Sequence, residues 1–290
     1  MLTAIIIILV IAAVGLAGLL VMLHRNFAAP RVPEEGDPGQ VGLTFRREWI
    51  PTERGKRLCG WLLPAGQPAG TLVMMHGWGG NALFLLPLAR VLMTTGLNIL
   101  LIDARNHGLS DGDGHSSLPK FAADLSRAVE WVKSQPEHEG PVALCGHSLG
   151  GAAALLTAAD RDDISAVISL STFAHPADMM RRFMKQAHIP DWAAPLVLRY
   201  VERIIGRRYH EIAPINTLCR LDCPVLMVHG DRDRTVPVAD FERMRSKCGD
   251  QGPRFLVIPR AGHTSVDRFE EHVGELVEFL RRAGLDSASG

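Results

Sequence analysis

The chain has 290 residues, 47% of them hydrophobic, and its 31 Lys and Arg balance 31 Asp and Glu. That length and apolar content suffice for one sizeable buried core, and the neutral balance excludes a bulk electrostatic attraction to nucleic acid. No G-x-x-x-x-G-K-[ST] phosphate loop, no H-E-x-x-H and no zinc-like Cys/His spacing occurs, so neither cofactor nor metal is expected despite twelve histidines.

In chain order, Leu2 to Leu23 contains only apolar residues, glycine and one threonine. About twenty such residues are long enough to cross a bilayer as a helix, so residues 1–24 are expected to form a transmembrane anchor. A cleaved secretory signal is the alternative, but such signals carry a basic start and a shorter apolar core, and no Lys or Arg precedes Arg25 here. Because Arg25, Arg31, Arg46 and Arg47 all follow the apolar run, the positive-inside rule puts the bulk of a single-pass protein in the cytoplasm. Signal cleavage would instead leave a secreted or periplasmic protein. The five cysteines, Cys59, Cys145, Cys219, Cys223 and Cys248, are odd in number and irregularly spaced. That argues for a reduced compartment, with a Cys219–Cys223 pair as the alternative under oxidation.

Residues 25–42, with Pro30, Pro33, Pro38 and several glycines, read as a linker, and 43–285 as one catalytic domain. Short apolar runs predict strands near 45–49, 58–63, 71–76, 98–103, 141–146, 166–171, 224–229 and 255–258. Helices are predicted near 83–95, 120–134, 149–159, 240–248 and 266–282, the last with the stripe Phe269, Val273, Leu276, Val277 and Leu280. Such alternation predicts a mostly parallel sheet with helices on both faces.

Three loops after predicted strands carry residues with chemistry. Gly146-His147-Ser148-Leu149-Gly150 is a G-x-S-x-G turn, in which small residues let the backbone close tightly while Ser148 projects its hydroxyl. A serine hydroxyl is a weak nucleophile near neutral pH and needs a base, and the base needs an orienting group. His263, past the last strand, is the candidate base; Asp233 and Asp231, past the preceding strand, compete as the acid.

The order Ser148, Asp233, His263 is that of the α/β-hydrolases, and from about residue 45 onward this chain resembles that superfamily. His76-Gly77-Trp78-Gly79-Gly80 and Asp103-Ala104-Arg105-Asn106-His107-Gly108 complete four motifs in register. The resemblance implies an eight-stranded α/β-hydrolase fold with a short helical cap at about 174–213. It selects Asp233 over Asp231, because the family's acid sits three residues beyond the glycine ending its strand. It also implies that the amides of Leu149 and Trp78 form an oxyanion hole, and that the loop around Asn106 and His107 is structural, or else lines the pocket mouth. Asn106 is expected at positive φ.

Within the cap, Phe183, Met184 and Trp192 are candidates for substrate contact, while Arg181, Arg182, Lys185, Arg199, Arg203, Arg207 and Arg208 offer a basic face that could meet a membrane. The expected function is a serine hydrolase acting on small-molecule or lipid carboxylic esters. Lysophospholipases, monoacylglycerol lipases and serine aminopeptidases are similar family members. A peptidase or thioesterase of the same fold, and a non-catalytic membrane-anchored scaffold or ligand sensor, are the alternatives.

Overall fold

The computed structural model describes residues 1–26, 29–136, 138, 140–248 and 252–285. Eight strands form one sheet: β1 (Arg46–Pro51), β2 (Arg57–Leu63), β3 (Thr71–Met75), β4 (Asn98–Ile102), β5 (Val142–His147), β6 (Ala166–Leu170), β7 (Val225–Gly230) and β8 (Arg254–Ile258). Their spatial order is β1-β2-β4-β3-β5-β6-β7-β8. The pairs β1/β2 and β2/β4 are antiparallel and all the others parallel. β3 to β7 are buried along their whole length, which is why their sequences read as continuous apolar runs rather than alternating ones.

The helices are α1 (Leu2–Asn26), α2 (Leu86–Leu92), α3 (Leu118–Lys133), α4 (Leu149–Ala159), α5 (Pro176–Gln186), α6 (Ala194–Ile205), α7 (Tyr209–Ile212), α8 (Pro214–Thr217), α9 (Val238–Cys248), α10 (Val266–Glu271) and α11 (Val273–Arg282). α3, α4 and α9 pack with the cluster around Phe121, Leu155 and Phe241; α2, α10 and α11 pack with a second cluster around Leu88, Phe269 and Leu280 on the other face. This is an α/β-hydrolase sheet with helices on both sides. The helix expected over 266–282 breaks at His272, whose φ and ψ of −108° and 23° leave the helical region beside Gly274, the weakest helix former of the stretch.

The N-terminus departs from expectation. α1 is helical over Leu2–Asn26, and its side chains Leu2 and Ile5 to Ile11 are exposed. Among the described residues, however, no helix is long and apolar enough to cross a membrane. The expected transmembrane span is therefore not borne out.

The expectation of reduced cysteines is also corrected: Cys219, in the turn after α8, is disulfide-bonded to Cys248 at the end of α9, with Cα atoms 5.3 Å apart. Cys223, the alternative partner, keeps a free thiol, as do the buried Cys59 and Cys145.

Candidate active site

Strand order reverses at β3, since the chain moves from β3 outward to β4 and then returns to β5 on the opposite side. A crevice opens at the carboxyl ends of the strands flanking such a switch point. Two loops meet there: Gly77-Trp78-Gly79-Gly80 after β3, and the turn from β5 into α4 at Ser148.

Ser148 has φ 53° and ψ −113°, a conformation that costs a non-glycine residue about 1–3 kcal/mol and persists only where its surroundings impose it. Here they do. Its N–H donates to the Leu170 carbonyl at 2.8 Å, and its own carbonyl accepts from Ala152 N–H at 3.0 Å. The flanking glycines are sterically required, because a side chain at Gly146 would strike the Gly150 backbone and one at Gly150 would strike the carbonyls of Met75 and His76.

The structure brings together the three residues that the loops offered. His263 Nε2 lies 3.1 Å from Ser148 Oγ, and His263 Nδ1 lies 2.7 Å from Asp233 Oδ2. In this tautomer the Ser148 hydroxyl donates to Nε2 and Nδ1–H donates to the carboxylate. The other Asp233 oxygen accepts the N–H groups of Thr235 at 2.9 Å and Val236 at 2.8 Å. Burial works to raise the Asp233 carboxyl, but the bond and charge of His263 and the Val236 amide outweigh it and hold it below the usual range. Asp231 is used elsewhere: its carboxylate accepts Arg260 N–H at 2.6 Å and so tethers the turn that leads from β8 toward His263.

His147, a residue sequence reasoning passed over, also bears on this geometry. Its Nε2–H donates to the His263 carbonyl at 2.6 Å, and the two rings lie 4.8 Å apart. Burial, and after it the neighbouring His263, push the His147 imidazole down to about 3, which keeps it neutral. The only sequence signal was its place inside the G-x-S-x-G turn.

Ser148, Leu149, Trp78 and His263 open onto one cavity of about 1110 Å³, at the upper end for a small-molecule site. Its far wall is apolar and comes largely from α5, through Met179, Met180, Phe183 and Met184, and from α6, through Val201 and Ile205. Phe183 and Met184 thus stand where the sequence placed them. Trp192 does not: it sits in the turn Asp191–Ala193, 76% exposed, and is absent from the cavity wall.

The basic face of the cap is partly neutralised, because Arg182 pairs with Asp240 at 2.6 Å, Arg181 with Asp178 at 3.2 Å and Arg207 with Glu211 at 3.6 Å. In the loop after β4, Asn106 has the expected positive φ of 69°. His107 is buried beside His76 and Phe121 and does not line the cavity. The loop is held by buried Arg105, whose guanidinium lies 2.7 Å from Asp124 and 3.0 Å from Asp113.

Residues 66–214 match the family model described as serine aminopeptidase, S33. Protein bem46 of Schizosaccharomyces pombe is 29% identical over 262 residues, 86% of this chain and 81% of its own. Human monoglyceride lipase is 34% identical over 137 residues, 45% of each chain. Among solved structures, esterase Pf2001 of Pyrococcus furiosus superposes with a TM-score of 0.70 at 24% identity, covering 88% of this chain and 96% of that one. Est1E of Butyrivibrio proteoclasticus, with ferulic acid bound, gives 0.64 at 24%, covering 81% and 98%. With the sheet order and the strand-to-helix turn at Ser148, these matches establish that the chain belongs to the serine aminopeptidase S33 family of α/β-hydrolases.

Proposed function

We propose that this protein is a serine hydrolase that cleaves carboxylic esters with an apolar acyl or alkyl part, through an acyl-enzyme on Ser148. The hydrogen-bonded run from Ser148 through His263 to Asp233 carries the reading. Ser148 Oγ attacks the ester carbonyl carbon as its proton passes to His263 Nε2. The amides of Leu149 and Trp78 stabilise the oxyanion, and Asp233 stabilises the imidazolium. His263 then protonates the departing alcohol, and a water deprotonated by His263 releases the acid and restores Ser148.

The cavity wall favours esters over peptides with a free amino terminus. Among its described lining residues, Glu35 is the one carboxylate that could hold an ammonium group, while the wall supplied by α5 and α6 is apolar. The Cys219–Cys248 bond supports an exported rather than a cytoplasmic catalytic domain, since disulfides persist in oxidising compartments.

The test is labelling of the full chain with a fluorophosphonate probe, followed by a screen of p-nitrophenyl esters against aminoacyl anilides. Labelling lost in Ser148→Ala, together with turnover of esters but not of anilides, is expected. Folded wild-type protein that takes up no probe would leave a scaffold or ligand sensor as the better account.

A further inference from the structure

The stretch that reads as a linker is fastened to the active site. Arg31 Nη1–H donates to the Gly108 carbonyl at 3.2 Å, in the loop after β4. The Pro33 carbonyl accepts from Asn81 Nδ2–H at 3.2 Å, just beyond the loop that carries Trp78. Both carboxylate oxygens of Glu34 accept the Trp61 indole N–H, at 3.0 and 3.1 Å, on β2. The Pro30 ring lies so close to Gly79 that a side chain there would meet it at 3.1 Å. A turn at Pro38–Val41, capped by Asp37 and with Pro38 buried, ends the segment.

These fastenings place Val32, Pro33 and Glu35 on the wall of the cavity that holds Ser148. Only four residues separate the end of α1 from Arg31, so the five Cα steps between them span at most about 17 Å of chain.

We propose that residues 31–35 form a substrate-contacting strap in which Val32 and Pro33 pack against the apolar chain of the ester and set its length preference. Two loops and strand β2 hold the strap independently, so it is a fixed wall rather than a tether. Arg31 and Glu34 face outward from the pocket to their partners, leaving the two apolar residues between them to meet the ligand. The kinetic part of this inference rests on the ester-hydrolase reading; the binding part does not.

Two measurements on the full chain separate them. The first is the ratio of kcat/KM for p-nitrophenyl dodecanoate to that for the acetate, in wild type, Val32→Trp, Val32→Ala and Val41→Trp. Val41 is exposed and lies outside the cavity wall. The ratio is expected to fall about tenfold in Val32→Trp, the size of effect that a methylene-scale change makes in an apolar pocket. It should fall by a smaller factor in Val32→Ala and stay at the wild-type value in Val41→Trp.

The second is the Kd of dansyl-labelled undecanoic acid for Ser148→Ala protein with and without Val32→Trp, expected to rise about tenfold. Weakened binding with no ester turnover in any variant would sink the hydrolase reading and leave the strap standing. An unchanged ratio in both Val32 variants together with an unchanged Kd in Val32→Trp, or wild-type strap protein that fails to bind the fatty acid, would overturn the strap.

Discussion

Gly150→Ala tests whether the Ser148 turn and the Trp78 loop are wedged against each other. A methyl group at Gly150 would sit 2.9 Å from the Met75 carbonyl carbon and closer still to the carbonyl oxygens of Met75 and His76, all of them backbone atoms that cannot rotate aside. Ordinary contact begins near 3.4 Å, so the first turn of α4 must move away from the end of β3 by roughly 0.5–1 Å. Overpacking of this kind costs about 1–3 kcal/mol, or about 3–10 °C in Tm for a domain of this size. The same movement separates the amides of Leu149 and Trp78, and a displacement of about 1 Å costs on the order of 100-fold in rate. Fluorophosphonate labelling rate and thermal unfolding by circular dichroism measure the two effects. Gly274→Ala is the control: nothing lies within 4 Å of the added carbon, and the better helix former should stabilise by up to about 1 kcal/mol. Gly150→Ala protein that labels at the wild-type rate with an unchanged Tm would refute the wedge.

Asp233→Asn is expected to lower ester kcat by about 10⁴-fold, because the amide favours the wrong His263 tautomer. Asp231→Asn should cost no more than about tenfold through the weakened Arg260 tether, worth roughly 1 kcal/mol, and the reverse ranking would reassign the acid. Glu34 is raised to about 7 by burial and by the neighbouring Asp103 charge. Its folded value exceeds its unfolded one, so its contribution to stability is present below about 4.5 and lost as pH rises through 7. Glu34→Gln, neutral at every pH, should therefore raise Tm relative to wild type at pH 8 and leave it unchanged at pH 4; equal effects at both would refute this. His76 and His107 are held down to about 4 by burial. Their contribution runs the other way, present above about 6.5 and lost as pH falls through 4, and urea midpoints across that window should drop. Reduction of Cys219–Cys248, which closes a 29-residue separation, should destabilise by about 3–4 kcal/mol, and a Tm indifferent to dithiothreitol would contradict the bond.

The sheet was legible because buried parallel strands must be apolar throughout, as Val142–Cys145 and Val225–Val228 are, and the Ser148 turn because only glycine fits at positions 146 and 150. The strap was not legible. The stretch 25–42 that contains it has the proline and glycine content of a tether, and its partners Trp61, Asn81 and Gly108 lie 27 to 77 residues away in sequence. Cys219 pairs with Cys248 rather than with Cys223 because the end of α9 returns beside the turn after α8, a proximity that sequence spacing does not record. Trp192 misled for a simpler reason: large apolar residues in a cap usually pack, but this one occupies an outward-facing turn between α5 and α6.

Strand order is also consistent with the position of Asp233, the proposed acid. Ser148 follows β5, Asp233 follows β7 and His263 follows β8, with β6 between the first two. Neighbouring strands are about 4.8 Å apart, so the ends of β5 and β7 are separated by about twice that. Such a gap accommodates an imidazole with hydrogen bonds of 3.1 and 2.7 Å at its two nitrogens. His263, entering from β8, reaches across β7 to Ser148. The strap is fastened from the other half of the sheet, to Trp61 on β2 and to Gly108 after β4. The carboxyl ends of β5, β7 and β8 thus precede Ser148, Asp233 and His263, while the proposed strap lies on the β2–β4 side, with the Trp78 amide after β3 between them. The pocket lies where the two halves diverge, so a change in chain-length preference can be made at Val32 without touching the strands that carry Ser148, Asp233 and His263.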